Sequence, residues 1–148
     1  MQQEVIRLDI SGRNLTDEEF YEEIAKYPNL QILYCGNNKI INIDHLPLNL
    51  QELYCDNNKI TEVDHLPPNL QVLYCSDNQI TNLDYLPISL QELHCSNNQI
   101  TNIDHVNDSL QILNCRDNQI TNIDHLPPSL QILHCWNNRI INVDHLPS

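Results

Sequence analysis

Leu70-Gln-Val-Leu-Tyr-Cys-Ser-Asp-Asn-Gln-Ile80 decides the fold, because its Leu, Leu, Cys, Asn and Ile return five more times at a step of twenty residues. The copies begin at Leu30, Leu50, Leu90, Leu110 and Leu130. A constant period of this length describes a solenoid, in which each unit buries its apolar side against the next. The alternation around Leu73 and Cys75 suits a short strand with both side chains inward, so successive copies must lie side by side in a parallel sheet.

Working outward, the period divides the 148 residues into an N-terminal cap over residues 1–29 and six repeats over residues 30–148, together one structural domain. After each strand, Asn38, Asn58, Asn78, Asn98, Asn118 and Asn138 sit where the chain turns. A buried amide there can bond backbone groups of its own coil and of the neighbouring one. Ile43, Val63, Leu83, Ile103, Ile123 and Val143 then point inward from a return segment, joined by Leu46 and its equivalents. Pro47, Pro67, Pro87, Pro127 and Pro147 close that segment, so the return side should be extended or polyproline-like rather than helical. The fourth repeat has Val106-Asn107-Asp108 instead, and a looser coil is expected there.

The cap reads differently. Val5, Leu8, Ile10 and Leu15 take the places of Leu30, Leu33, Cys35 and Ile40, with Arg13 standing where the repeats have Asn. Thr16-Asp-Glu-Glu19 has the form of a capping box, and Phe20, Ile24 and Tyr27 follow at helical spacing, predicting a helix over about 17–27 that shields the first core layer.

Twenty acidic against seven basic residues give a net charge of -13, and the basic residues are scattered singly. Such a surface repels phosphate backbones and anionic membranes, which argues against nucleic-acid and membrane partners. Met1 to Glu4 lack the basic and apolar regions of a signal peptide, and no apolar run approaches membrane-spanning length, so a soluble cytoplasmic protein is expected. The sequon-like Asn14-Leu15-Thr16 and Asn107-Asp108-Ser109 are then chance matches. Cys35, Cys55, Cys75, Cys95, Cys115 and Cys135 occupy one equivalent position per repeat, and a linear inward column suits reduced core thiols. It cannot supply the converging tetrahedral ligands of zinc.

Leu70-x-x-Leu73-x-Cys75-x-x-Asn78-x-Ile80 resembles the leucine-rich repeat signature. The short form with Leu-Pro in its return segment is similar to the repeats of bacterial secreted effectors and giant-virus proteins. The resemblance covers residues 30–148 fully and 5–15 weakly. It implies an α/β repeat solenoid with the parallel sheet on its concave face, most often used for protein–protein contact.

On that resemblance the outward strand positions line the concave face. One column is Ile32, Glu52, Val72, Glu92, Ile112 and Ile132. Another is Tyr34, Tyr54, Tyr74, His94, Asn114 and His134, and a third is Gly36, Asp56, Ser76, Ser96, Arg116 and Trp136. They vary between repeats whereas the inward positions do not. Tyr34, Tyr54, Tyr74, His94, Arg116, His134, Trp136, Glu52 and Glu92 are the candidate partner-binding residues, since tyrosine and tryptophan offer rigid amphipathic area. Tyrosine also stacks well along a sheet without any partner. Glu52, Asp56, Asp77, Glu92 and Asp117 favour a basic protein.

A separate column runs Asp44-His45, Asp64-His65, Asp84-Tyr85, Asp104-His105, Asp124-His125 and Asp144-His145. Each Asp is expected to accept bonds from backbone donors or from a neighbouring histidine, and parallel projection argues against a metal site. No nucleophile paired with a base, no Gly-rich phosphate loop and no unique carboxylate pair occurs, so neither an enzyme nor a cofactor is expected. Repeat six stops at Leu146-Pro147-Ser148 without a polar cap. The alternative to a binding module is therefore a structural protein whose copies associate weakly, as a homodimer, through that end.

Overall fold

The computed structural model describes residues 5–141 and residue 143. Met1 to Glu4, Asp144-His145 and the Leu146-Pro147-Ser148 end lie outside the described residues.

Every Leu-x-Cys alternation, and Leu8-Asp-Ile10 in the cap, forms a strand of three residues. They are β1 (Arg7–Asp9), β2 (Ile32–Tyr34), β3 (Glu52–Tyr54), β4 (Val72–Tyr74), β5 (Glu92–His94), β6 (Ile112–Asn114) and β7 (Ile132–His134). The seven strands form one parallel sheet in sequence order. Leu8, Leu33, Leu53, Leu73, Leu93, Leu113 and Leu133 are aligned as direct partners. Because the side-chain period of a strand is two, this register puts every one of these leucines on the inner face and every Tyr34-type residue on the outer face. The degenerate first coil is thus a full member of the sheet.

The core is a set of stacked layers. Leu30, Leu33, Cys35, Ile40 and Ile43 build one, and their counterparts through Ile123 build the next four, all buried. The buried asparagines bind these layers to one another. The Asn78 amide donates to the carbonyls of Cys55 and Cys75, both at 3.1 Å, while its Oδ1 accepts the Ile60 N–H at 2.9 Å. One side chain therefore satisfies three backbone groups on two coils, at the place where the chain leaves the ladder and backbone partners run out. Asn38 does the same between the cap coil and the first repeat, donating to the carbonyls of Ile10 and Cys35 and accepting the Leu15 N–H.

The residue before each of these asparagines makes the turn. Asn37, Asn57, Asp77, Asn97, Asp117 and Asn137 all have φ between 52° and 56°. Asn and Asp enter this left-handed region more readily than other non-glycine residues because their short polar side chains bond locally.

The return side is free of helix in every described repeat. In the first and third return segments Leu46 and Leu86 are buried with Pro47 and Pro87 half-buried; where two prolines occur, Pro67 and Pro127 are buried and Leu66 and Leu126 half-buried. The second proline thus exchanges which of two neighbours fills the layer. The fourth repeat is not loosened. Val106 is buried, and the Asn107 amide donates to the Pro87 carbonyl at 3.0 Å while its Oδ1 accepts the Ser109 N–H at 2.9 Å, so the side chain supplies the ties that the missing proline does not.

Helix α1 spans Asp17–Ile24, shorter than the predicted 17–27. The capping box forms, with the Glu19 carboxylate accepting the Thr16 N–H at 2.9 Å. The helix stops at Ile24 because the next N–H groups tighten: Lys26 and Tyr27 donate three residues back, to Glu23 and Ile24. Phe20 and Ile24 are buried, and the far side of the helix is tied to the first repeat by Asp17 Oδ1 accepting the Ile41 N–H and by Tyr21 Oη donating to Asn42.

Among the described residues, the first and last positions of the stack are less buried than its middle. Val5, in the place of Leu30, is exposed, and Val143, expected inward, is 57% exposed. Leu130, Leu133, Cys135 and Ile140 are only half-buried, whereas their counterparts in the preceding repeat are fully buried.

Candidate functional site

The parallel register places the outward columns within ring-contact distance, because neighbouring strands lie about 4.8 Å apart. Tyr34 and Tyr54 stack with centroids 4.5 Å apart, Tyr54 and Tyr74 follow at 4.9 Å, and Tyr74 and His94 stack at 4.0 Å. The Arg7 guanidinium lies 4.8 Å from the Tyr34 ring centre and closes the N-terminal end of the column.

The carboxylates stand beside this stack. Tyr54 Oη donates to Glu52 at 2.9 Å, Tyr74 Oη donates to Glu92 at 2.7 Å, and His94 Nε2 lies 2.8 Å from the same Glu92 oxygen. Half-burial and the adjoining carboxylate push the Tyr74 hydroxyl up to about 12, and the Tyr54 hydroxyl is raised for the same two reasons. Both phenols are therefore donors throughout the physiological range. Asp56 accepts the Ser76 N–H at 2.7 Å, yet burial outweighs that bond and raises its carboxyl above the usual range.

Asn114 interrupts the column. Beyond it lies a second aromatic cluster, in which His134 meets the edge of Trp136 at 5.1 Å and Arg116 lies 5.6 Å from the Trp136 ring centre. The nine candidate residues thus form two groups, Tyr34, Tyr54, Tyr74, His94, Glu52 and Glu92 in one and Arg116, His134 and Trp136 in the other. Of the third column, Ser96 is not on the surface: it is buried and donates to Asn114 Oδ1 at 2.9 Å.

Sequence reading missed Arg7. Extending the column of Ile32 one coil back would have found it, since Arg7 pairs with Ile32 in register. It also missed the left-handed turn residues, whose signal was the Asn or Asp at 37, 57, 77, 97, 117 and 137 in every repeat.

On the return side the Asp column meets its expected histidine neighbours at two coils, and its turns are closed by asparagine. The backbone N–H of Asp44, Asp104 and Asp124 donates to the side-chain oxygen of Asn42, Asn102 and Asn122, so asparagine is the acceptor in these turns. His65 and His125 each lie 3.4 Å from the aspartate of the preceding coil, Asp44 and Asp104. No group of three or more His, Cys, Asp or Glu converges on a common point among the described residues. Burial raises the thiols of the cysteine column, Cys115 to about 12.

A parallel-sheet solenoid with a Leu-x-Cys core column and an asparagine ladder defines a class of repeat scaffold. The chain belongs to the leucine-rich repeat family: the model described as Leucine Rich repeats (2 copies) matches residues 3–48, 48–88, 68–107 and 88–128. A sequence comparison with curated proteins gives no significant match. Among solved structures, the leucine-rich repeat domain of a Shigella effector superposes with a TM-score of 0.81 at 27% identity, over 93% of this chain and 61% of that one. An internalin C2 from Listeria monocytogenes gives 0.71 at 28% identity, over 94% of this chain and 74% of that one. YopM from Yersinia enterocolitica gives 0.67 at 30% identity, over 82% of this chain and 32% of that one. The chain therefore spans less than two thirds of the Shigella domain's length. The fold is typical of protein–protein interaction modules, and proteins built on it are in general non-catalytic scaffolds.

Proposed function

We propose that this chain is a non-catalytic interaction module that takes a protein partner on its sheet face. The observation that carries this reading is the contrast between faces: inward positions repeat from coil to coil, while the outward columns change and gather rings and carboxylates into a continuous stack from Arg7 to His94. Rigid aromatic area beside charged groups is the composition of interaction surfaces. A net charge of -13 favours a basic protein over nucleic acid or an anionic membrane. The buried, unpaired cysteine column suits a reducing compartment, in keeping with a cytoplasmic location.

Affinity capture from a host lysate tests the reading when paired with face variants. Tyr54→Ala, Tyr74→Ala and Trp136→Ala should each lose the captured protein while their circular dichroism matches the parent. Retention of the same protein by all three would overturn it.

A second reading has its own observation. The N–H groups of Cys35, Cys55, Cys75, Cys95 and Cys115 each donate to the next coil, and those of Ile40, Ile60, Ile80, Ile100 and Ile120 to its asparagine. The outer edge of β7 has no partner strand among the described residues, and Leu133, Cys135 and Ile140 beside it are half-exposed. Two copies joined through these edges would cover both. Sedimentation across a concentration series should show weak self-association, and a strict monomer into the millimolar range would sink it.

A further inference from the structure

The inner face carries its own row of metal-ligating groups, the six free cysteines. Cys35, Cys55, Cys75, Cys95 and Cys115 are buried, whereas Cys135 is half-exposed. Leu113 pairs with Leu133 and Asn114 with His134, and the Cys115 N–H continues that register by donating to the His134 carbonyl at 2.8 Å. Cys115 and Cys135 are therefore direct neighbours on adjacent coils, two residues beyond the paired leucines and on the same face as they are. Burial first, and then the charge of the Cys135 thiol, pushes the Cys115 thiol up, so the two sulfurs lie within reach of each other's charge. Thiols of this column also turn towards the following coil, as Cys55 Sγ does in donating to the Tyr74 carbonyl at 3.3 Å.

The linear arrangement that rules out tetrahedral zinc suits an ion that takes two ligands in line. Thiolates are soft donors and select copper(I), and a metal–thiolate bond is about 2.3 Å long. Two such bonds end to end span about 4.6 Å. Side chains that project in parallel from one register position keep nearly the spacing of their strands, ~4.8 Å. An ion between the two sulfurs would lie along the stack, in the place of the thiol protons.

We propose that Cys115 and Cys135 form a two-coordinate site for copper(I), on the inner face and separate from the partner surface. One copper(I) ion binds the two thiols as thiolates, two protons leave to solvent and no oxidation state changes, so the complex carries a single negative charge. That charge selects the pair. Between two fully buried cysteines it would sit in an apolar layer without hydration, whereas at half-exposed Cys135 water reaches it. Exposure of Cys135 also gives the ion its way in. No third His, Cys, Asp or Glu converges on the pair among the described residues, so the coordination stays at two.

Anaerobic titration of the full chain with copper(I), in ascorbate and against a bathocuproine chelator, tests the site. The chain should hold one copper(I) against the chelator, and X-ray absorption should show two sulfur neighbours and no nitrogen. Cys115→Ala and Cys135→Ala, each with an unchanged circular dichroism spectrum, should weaken retention by about tenfold or more, and Cys75→Ala should leave it as it is. If Cys115→Ala does not fold, Cys135→Ala decides alone, since its side chain is already half outside the core. No copper held against the chelator, full retention by Cys135→Ala, or a third ligand in the absorption spectrum would overturn the proposal.

Discussion

The inward asparagine column and the outward aromatic column run through the same coils with the same period, and they meet opposite constraints. Inside, the Asn78 amide answers backbone groups of two coils, and a change of residue type there, or at Asn58, Asn98 or Asn118, leaves buried donors and acceptors unmatched. Outside, each ring answers only its neighbour, and the column tolerates histidine at 94 and asparagine at 114. Identity is dictated where water is absent, and it is free to carry specificity where water can substitute.

The most severe way to break this contrast is to remove an amide. Asn78→Ala should cost about 4 kcal/mol in a denaturant titration, from the Ile60 N–H and the Cys55 and Cys75 carbonyls left buried and unpaired. Asn138→Ala should cost about 1–2 kcal/mol, because Asn138 is only half-buried and water can reach its partners. Equal losses at the two sites would mean that burial does not set the price.

A smaller effect separates bonding from backbone shape at the turn. Asp77→Ala and Asp77→Gly both lose the bond that Asn97 donates to Asp77, but only glycine relieves a φ of 55°. The glycine variant should be the more stable by about 1 kcal/mol. An alanine variant as stable as the glycine one would show that the left-handed turn carries no strain.

The smallest effect concerns the outward face alone. Asp56 has its carboxyl raised by burial, so the folded chain holds that proton more tightly than the unfolded chain does. Its charge therefore weakens the fold at neutral pH, and that penalty vanishes as pH falls below the ordinary carboxylate range. Asp56→Asn, which keeps an acceptor for the Ser76 N–H, should raise the melting temperature slightly at pH 7 and leave it unchanged near pH 3. A gain of the same size at both pH values would place the effect in packing rather than charge.

Much of this was legible from residues alone. Leu73, Cys75, Asn78 and Ile80 declared the coil because a twenty-residue period leaves little choice of what points inward. The helix boundary was not legible: Lys26 and Tyr27 fit a helical pattern, and only the shift of their N–H groups to partners three residues back ends α1 at Ile24. For the tyrosines the sequence offered both stacking and partner contact, and the stacks are formed. Sequence placed them on the outer face, but whether their ring faces point at solvent or at each other depends on rotamers that composition does not encode. Val106-Asn107 looked like a defect because proline was missing, whereas an asparagine side chain can make the bonds that hold such a corner.

The cysteine column also turns the molecule into its own clock. A thiol reagent attacks only the thiolate, and burial raises the thiols of Cys35, Cys55, Cys75, Cys95 and Cys115, so each is silent until its coil opens. Cys135 stands in the half-exposed last coil. Pulsed alkylation read by mass should therefore label Cys135 first and then Cys115, giving the order in which the stack unzips, one coil per chemical tick.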